Sequence, residues 1–60
     1  QIGDRLGEAN CLFAIGLLAR QMGNRERMRS AFQEAEKVYA AIGLSEQAQH
    51  ARATAEMPLA

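Results

Sequence analysis

Tryptophan is absent from this 60-residue sequence, and cysteine, histidine and proline each occur once. The single cysteine, Cys11, excludes an internal disulfide, and one cysteine with one histidine falls short of the ligand set of a structural zinc site. Because so short a domain buries only a modest share of its surface, it usually needs disulfides, a metal or a partner to be stable. We therefore expect the chain to pack against neighbouring repeats, a second copy or a further part of a longer chain.

The sequence also has no excess charge and no long hydrophobic run. Seven Lys and Arg residues balance seven Asp and Glu residues, which gives no general attraction to nucleic acid or to an anionic membrane. The longest apolar run covers residues 11–19, well below the roughly 20 residues of a membrane span. We predict no nucleic-acid or membrane partner. The lone cysteine favours a reducing, cytoplasmic compartment, and the start at Gln1 indicates a piece of a longer protein.

Three glycines spaced 20 residues apart divide the sequence into helical segments. They are Gly3, Gly23 and Gly43. Glycine just after a helix adopts the left-handed conformation that closes it, and each of these glycines is soon followed by a side chain that caps helix N-termini. The capping residues are Asp4, Asn24 and Ser45. The pattern predicts an all-α fold with helices over about residues 5–22, 25–42 and 45–56, the last of which is ended by Pro58.

The hydrophobic pattern differs among the three predicted helices. Residues 11–19 are all apolar, so this part of the first helix is apolar on every side, which indicates burial on every side. We therefore expect Cys11 to be a buried, inert thiol. The second helix has a one-sided apolar stripe, and we expect Phe32 from this stripe to anchor the packing of the first two helices. The residues that we expect Phe32 to face are Leu12, Ile15 and Ala19. The third helix is mostly alanine and only weakly amphipathic.

Residues 12–40 follow a known helical repeat pattern. The matching positions are Leu12, Ile15-Gly16, Gly23-Asn24, Phe32 and Ala35, and the departures are Ala19, Met28 and Ala40. With these positions, residues 2–43 resemble the tetratricopeptide repeat, in a long variety of about 40 residues. The resemblance implies a fragment of an α-solenoid: an antiparallel helical hairpin with a third, capping helix, forming one repeat-like unit over residues 1–60. The alternative is a helical hairpin with glycine turns that belongs to no repeat array.

A stripe along the first helix is the candidate binding surface. Its residues are Asn10, Phe13, Leu17, Arg20 and Gln21. Steps of three and four residues place them on one face, and the resemblance implies that this face lines the concave groove of an array. The predicted ligand is a protein or peptide, extended or helical. The alternative is that Phe13 and Leu17 pack on a preceding repeat or a second copy.

The pattern of reactive side chains does not favour catalysis. His50 follows Glu46 by four residues, which a surface ion pair explains, and no acid, base and nucleophile set surrounds it. Four arginines near Gly23 are more typical of a solvated rim than of an anion site. We predict that this segment is not an enzyme and binds no cofactor or metal. The predicted function is a protein-binding repeat module that acts as a scaffold, with a self-associating, oligomer-forming helical unit as the alternative.

Overall fold

The computed structural model describes residues 2–56, and this part of the chain contains three α-helices and no strand. The helices are α1 (Ile2–Gln21), α2 (Arg25–Ala41) and α3 (Ser45–Glu56). The prediction of an all-α fold with three helices is confirmed for this part of the chain.

The largest difference from the predicted bounds is at the first helix, which begins at Ile2 and not near residue 5. Gly3 does not have a positive φ, whereas Gly23 and Gly43 do, so the backbone continues helically through Gly3. Asp4 consequently lies in the first turn of α1, where its negative charge favours the positive end of the helix dipole. The predicted helix stop at Pro58 lies outside the described residues.

The same kind of turn joins α1 to α2 and α2 to α3. Gly23 has a φ of 75° and Gly43 a φ of 82°, both in the left-handed region that favours glycine. In each turn the residue after the glycine donates its N–H five residues back, from Asn24 to Ala19 and from Leu44 to Tyr39, each at 2.9 Å. These bonds satisfy carbonyls that the end of a helix otherwise leaves unpaired.

The turn at Gly23 also starts the next helix. The Asn24 side chain accepts a hydrogen bond from the Arg27 backbone N–H at 3.1 Å, as predicted from its capping position. One residue thus ends α1 through its backbone and begins α2 through its side chain. The short connection reverses the chain direction, so that α1 and α2 are antiparallel. Their contacts show this, since Asn10 lies against Tyr39 and the later Gly16 against the earlier Phe32.

The core consists of two small clusters along α2. The first comprises Ala9, Ala35, Tyr39, Ala48 and Ala51, and the second comprises Ala19, Met28 and Phe32. Phe13 packs against both clusters and so connects them. The core is therefore built largely from alanine, and the helices approach closely around the few large side chains.

Phe32 is fully buried, as expected, but its surroundings differ from the prediction. Its cluster includes Ala19, whereas Leu12 packs on the other cluster and Ile15 remains 39% exposed. The ring of Phe32 lies instead over Gly16, where a Cβ would come within 2.6 Å of ring atom Cε1. Gly16 therefore makes room for the ring.

Within one chain, the first helix is not buried on every side, and the predicted burial of Cys11 is wrong. Leu18 is 57% exposed and Met22 73% exposed, and Cys11 is an exposed free cysteine. The reason is that α2 packs along one side of α1, and no described residue covers the opposite side. The contact expected of Phe13 and Leu17 with a preceding repeat or a second copy stays a prediction.

We expect Gly23→Ala to lower the free energy of unfolding by about 1 kcal/mol, because a Cβ strains the left-handed backbone although the space around it is open. Gly7→Ala is the matched control, since Gly7 lies inside α1 with equally open surroundings. Alanine there should raise stability by up to about 1 kcal/mol. Urea unfolding of dilute protein, followed by circular dichroism, measures both. Equal shifts in the two variants would contradict the turn assignment.

Gly16→Ala should destabilise the fold by about 1–3 kcal/mol, because its Cβ overlaps the Phe32 ring and overpacking a core carries a cost of this order. Phe32→Leu replaces the ring with a smaller side chain and should relieve the overlap. The double variant should therefore lose less stability than the sum of the single losses. A double-mutant cycle by chemical unfolding tests this, and strict additivity would show that the two residues do not restrict each other.

Candidate functional site

The predicted site residues lie along one flank of α1, between its side packed on α2 and its exposed side. We call them the flank surface: Asn10, Phe13, Leu17, Arg20 and Gln21. Asn10, Leu17 and Gln21 are exposed, whereas Phe13 and Arg20 are half-buried. Their spacing on a helix of 3.6 residues per turn accounts for the shared side.

Asn10 is held in place by the second helix. The Tyr39 hydroxyl donates a hydrogen bond to Asn10 Oδ1, and Tyr39 itself is 5% exposed. With its oxygen engaged, the Asn10 amide presents its NH2 group as a donor to ligands. A surface amide fixed in this way loses less conformational freedom when a ligand binds than an unattached one.

Phe13 is turned inward, and it links all three helices. Its ring centroid lies 5.0 Å from that of Phe32 in α2, in a tilted arrangement. On its other side the ring stacks on His50 of α3, with centroids 5.5 Å apart and an interplanar angle of 19°. Aromatic pairs in such offset or tilted contacts contribute beyond their buried area. Phe13 thus joins α1 to α3 and is only in part available to a ligand.

The C-terminal half of the flank surface has a mixed character. Leu17 is 42% exposed, and Gln21 next to it on the same side is also exposed. Arg20 lies in the last turn of α1, where a positive charge complements the helix dipole. The surface therefore runs from a polar end at Asn10 through an apolar centre to a basic end at Arg20.

His50 and Tyr39 are the residues that the sequence prediction of this surface omitted. The structure brings both of them to the flank from other helices. The sequence relates His50 only to Glu46, through their spacing, and nothing in it indicates that the His50 ring stacks on Phe13. Tyr39 belongs to the apolar stripe of α2, which could have signalled a position close to α1 but not its bond to Asn10.

A second exposed surface lies on the opposite side of α1 from α2, and the prediction missed it. We call it the outer face: Gly7, Cys11, Ala14 and Leu18 of α1 and Met22 directly after its end, all exposed. Steps of four, three, four and four residues align them. This signal was present in the sequence, but a helix that is apolar all round gives no indication of which side remains uncovered.

Two of the four arginines near Gly23 line a shallow depression at the end of α1. It is lined by Met22, Arg25 and Arg29, with Glu26 and Gln33 among its other residues. Arg25, Arg29 and Arg52 also border a groove between α2 and α3, together with Glu36 and Glu56. Arg52 is exposed and lies 3.6 Å from Glu56, so acidic side chains already accompany the basic ones in both places.

Residues 2–56 hold no group of three or more His, Cys, Asp or Glu residues placed to bind a metal ion. None of its helices has the length and apolar character that crossing a membrane requires.

Family models, curated proteins and solved structures were each compared with the chain, and none of them matches it. The resemblance of residues 2–43 to a tetratricopeptide repeat therefore stays a prediction. What can be argued about the flank surface depends on its own geometry.

Tyr39→Phe should lower the free energy of unfolding by about 0.5–1.5 kcal/mol, since it removes the hydrogen bond to Asn10 and little else. Asn10→Ala removes the same hydrogen bond by deleting its acceptor, which lies on an exposed residue. If this bond is what both substitutions remove, the double variant should be little less stable than Tyr39→Phe alone. Thermal or chemical unfolding of the variants provides the test, and full additivity would indicate that the bond contributes nothing in solution.

Proposed function

We propose that this chain is a protein-binding helical module, a fragment of a longer tetratricopeptide-type repeat array that acts as a scaffold and binds a peptide segment on the flank surface. The observation that carries this proposal is the stacking of Phe13 on His50 at 5.5 Å. His50 of α3 thus lies beside the flank surface of α1, although the two helices are separated by α2 in the sequence. A ligand can therefore contact two helices at once.

The chemistry along the flank surface defines the ligand that fits it. The amide NH2 of Asn10 can donate to a peptide carbonyl, and the exposed part of Leu17 offers an apolar contact. Arg20 at the basic end favours an acidic group nearby. A short peptide with an apolar side chain followed by a carboxylate matches this order. In this proposal the segment binds its ligand and does not convert it.

The packing of α3 supports the assignment to a repeat array. Ala48 and Ala51 of α3 enter the same cluster as Ala9 of α1, on which Leu12 also packs. Each of these two helices thus packs on α2 with two apolar residues spaced three apart: Ala9 and Leu12 in α1, and Ala48 and Ala51 in α3. The turns before α2 and before α3 also have the same hydrogen-bond pattern. A helix that repeats the role of α1 after an equivalent turn is what a stacked array requires.

Peptides selected from a phage-displayed random library provide the test. Titrated into the isotope-labelled chain, they should shift the NMR signals of Asn10, Leu17 and His50 more than those of the exposed side of α2. Leu17→Glu should weaken binding at least about tenfold, because it places a carboxylate in the apolar centre.

Leu18→Glu is the matched control, since it makes the same change one position along α1, on the outer face. It should leave peptide affinity unchanged. The proposal fails if the selected peptides perturb other surfaces, or if the two glutamate substitutions weaken binding equally.

A further inference from the structure

The outer face of α1 combines strong exposure with a regular apolar pattern. Leu18 and Met22 are 57% and 73% exposed, the largest values among the exposed large hydrophobic residues that the structure describes. They follow Gly7, Cys11 and Ala14 along the same line of the helix. Contiguous apolar exposure of this kind marks an interaction site in soluble proteins.

Side-chain size changes systematically along this face. The N-terminal half carries the small residues Gly7, Cys11 and Ala14, and the C-terminal half carries the large residues Leu18 and Met22. Two such faces fit together when the helices run antiparallel, because Leu18 then lies opposite Cys11 of the other copy and Met22 opposite Gly7. Packing large residues against small ones keeps an interface free of voids. A parallel pair would set large against large and leave the small half unfilled.

Charge along α1 favours the same direction. Two acidic residues, Asp4 and Glu8, and one basic residue, Arg5, lie at its N-terminal end, whereas Met22 at the other end lines a depression with Arg25, Arg29 and one acidic residue, Glu26. An antiparallel arrangement brings the predominantly acidic end of one copy to the predominantly basic end of the other. A parallel arrangement brings like charges together, which is unfavourable.

We propose that two copies of this chain associate through their outer faces, with the two α1 helices antiparallel and centred between Ala14 and Ile15. The contact is isologous, because each copy offers the other its small half and receives its large half. It uses residues outside the flank surface, so it does not depend on the proposed peptide binding.

The expected dimer is weak. A helix of 20 residues is roughly 30 Å long, and a contact confined to one helix per copy is smaller than the roughly 800 Å² per partner of a standard interface. The dimer should therefore form reversibly at micromolar to millimolar concentration and weaken as salt concentration rises.

Sedimentation equilibrium tests the interface. The unmodified chain should show a reversible monomer–dimer equilibrium, and Leu18→Glu should weaken it about 100-fold or more, because a carboxylate enters the interface from each copy. Leu17→Glu is the control on the flank surface and should leave the dimer intact. Circular dichroism verifies that each variant is folded. A chain that stays monomeric at millimolar concentration overturns the proposal, as does equal dissociation by the two substitutions.

Cysteine crosslinking tests the direction and register. In the variant Leu18→Cys, the new thiol should lie opposite Cys11 of the other copy. Oxidised glutathione should then link the two copies by disulfides, accepting the two electrons and two protons of each pair of thiols. The unmodified chain, with Cys11 alone, and the double variant C11S/L18C should not crosslink. In both, the two cysteines of an antiparallel pair lie about 10 Å apart along the axis, beyond disulfide reach.

Crosslinking of the single-cysteine proteins as fast as the Leu18→Cys variant would indicate a parallel or a random encounter and refute the antiparallel register. Absence of crosslinking in all three proteins, together with a dimer in sedimentation that Leu18→Glu dissociates, would show that the register is wrong. Either result leaves the peptide-binding proposal unaffected, because the flank surface takes no part in these contacts.

Discussion

The packing of this chain depends on the placement of the Phe32 ring over a residue that has no side chain. The ring occupies the space of a Cβ at Gly16, which lets α2 approach α1 closely and buries Phe32 completely. Buried in this position, Phe32 meets Phe13 from the side, and Phe13 in turn stacks on His50. One series of ring contacts therefore connects all three helices, and a single glycine makes it possible.

The small side chains of the core affect which apolar residues remain on the surface. Because alanine supplies most of the buried contacts of α1 and α3, with Leu12 and Phe13 packed beside them, the three helices are held together without Leu18 and Met22. Leu18 and Met22 are left outside. In a chain this small, such exposed apolar area is a considerable fraction of what could stabilise the fold. Its retention on the surface is better explained by association than by folding.

Local signals account for the parts of the structure that could be predicted. Gly23 requires its left-handed φ because of the turn, Asn24 caps α2 because of its side-chain oxygen, and both properties belong to the residue itself. The exposure of Cys11 and the inward position of Phe13 do not follow from local signals. Periodicity shows which residues share a side of a helix, but burial depends on where the other helices pack. On an α1 that is apolar all round, every side looked equally suited to the core.

The two proposed surfaces of α1 have a fixed geometric relation. The flank surface and the outer face are separated by roughly a third of a turn around the helix, so one ligand and one second copy do not compete for the same residues. In an antiparallel pair related by a two-fold axis, this axis is perpendicular both to the helices and to the direction that joins them. Rotation about it keeps each flank surface on the same side of the dimer. The dimer would thus present two flank surfaces on the same side, with the two surfaces running antiparallel to each other. A partner that carries two copies of the recognised segment would bind both, with the gain in affinity that linked sites provide.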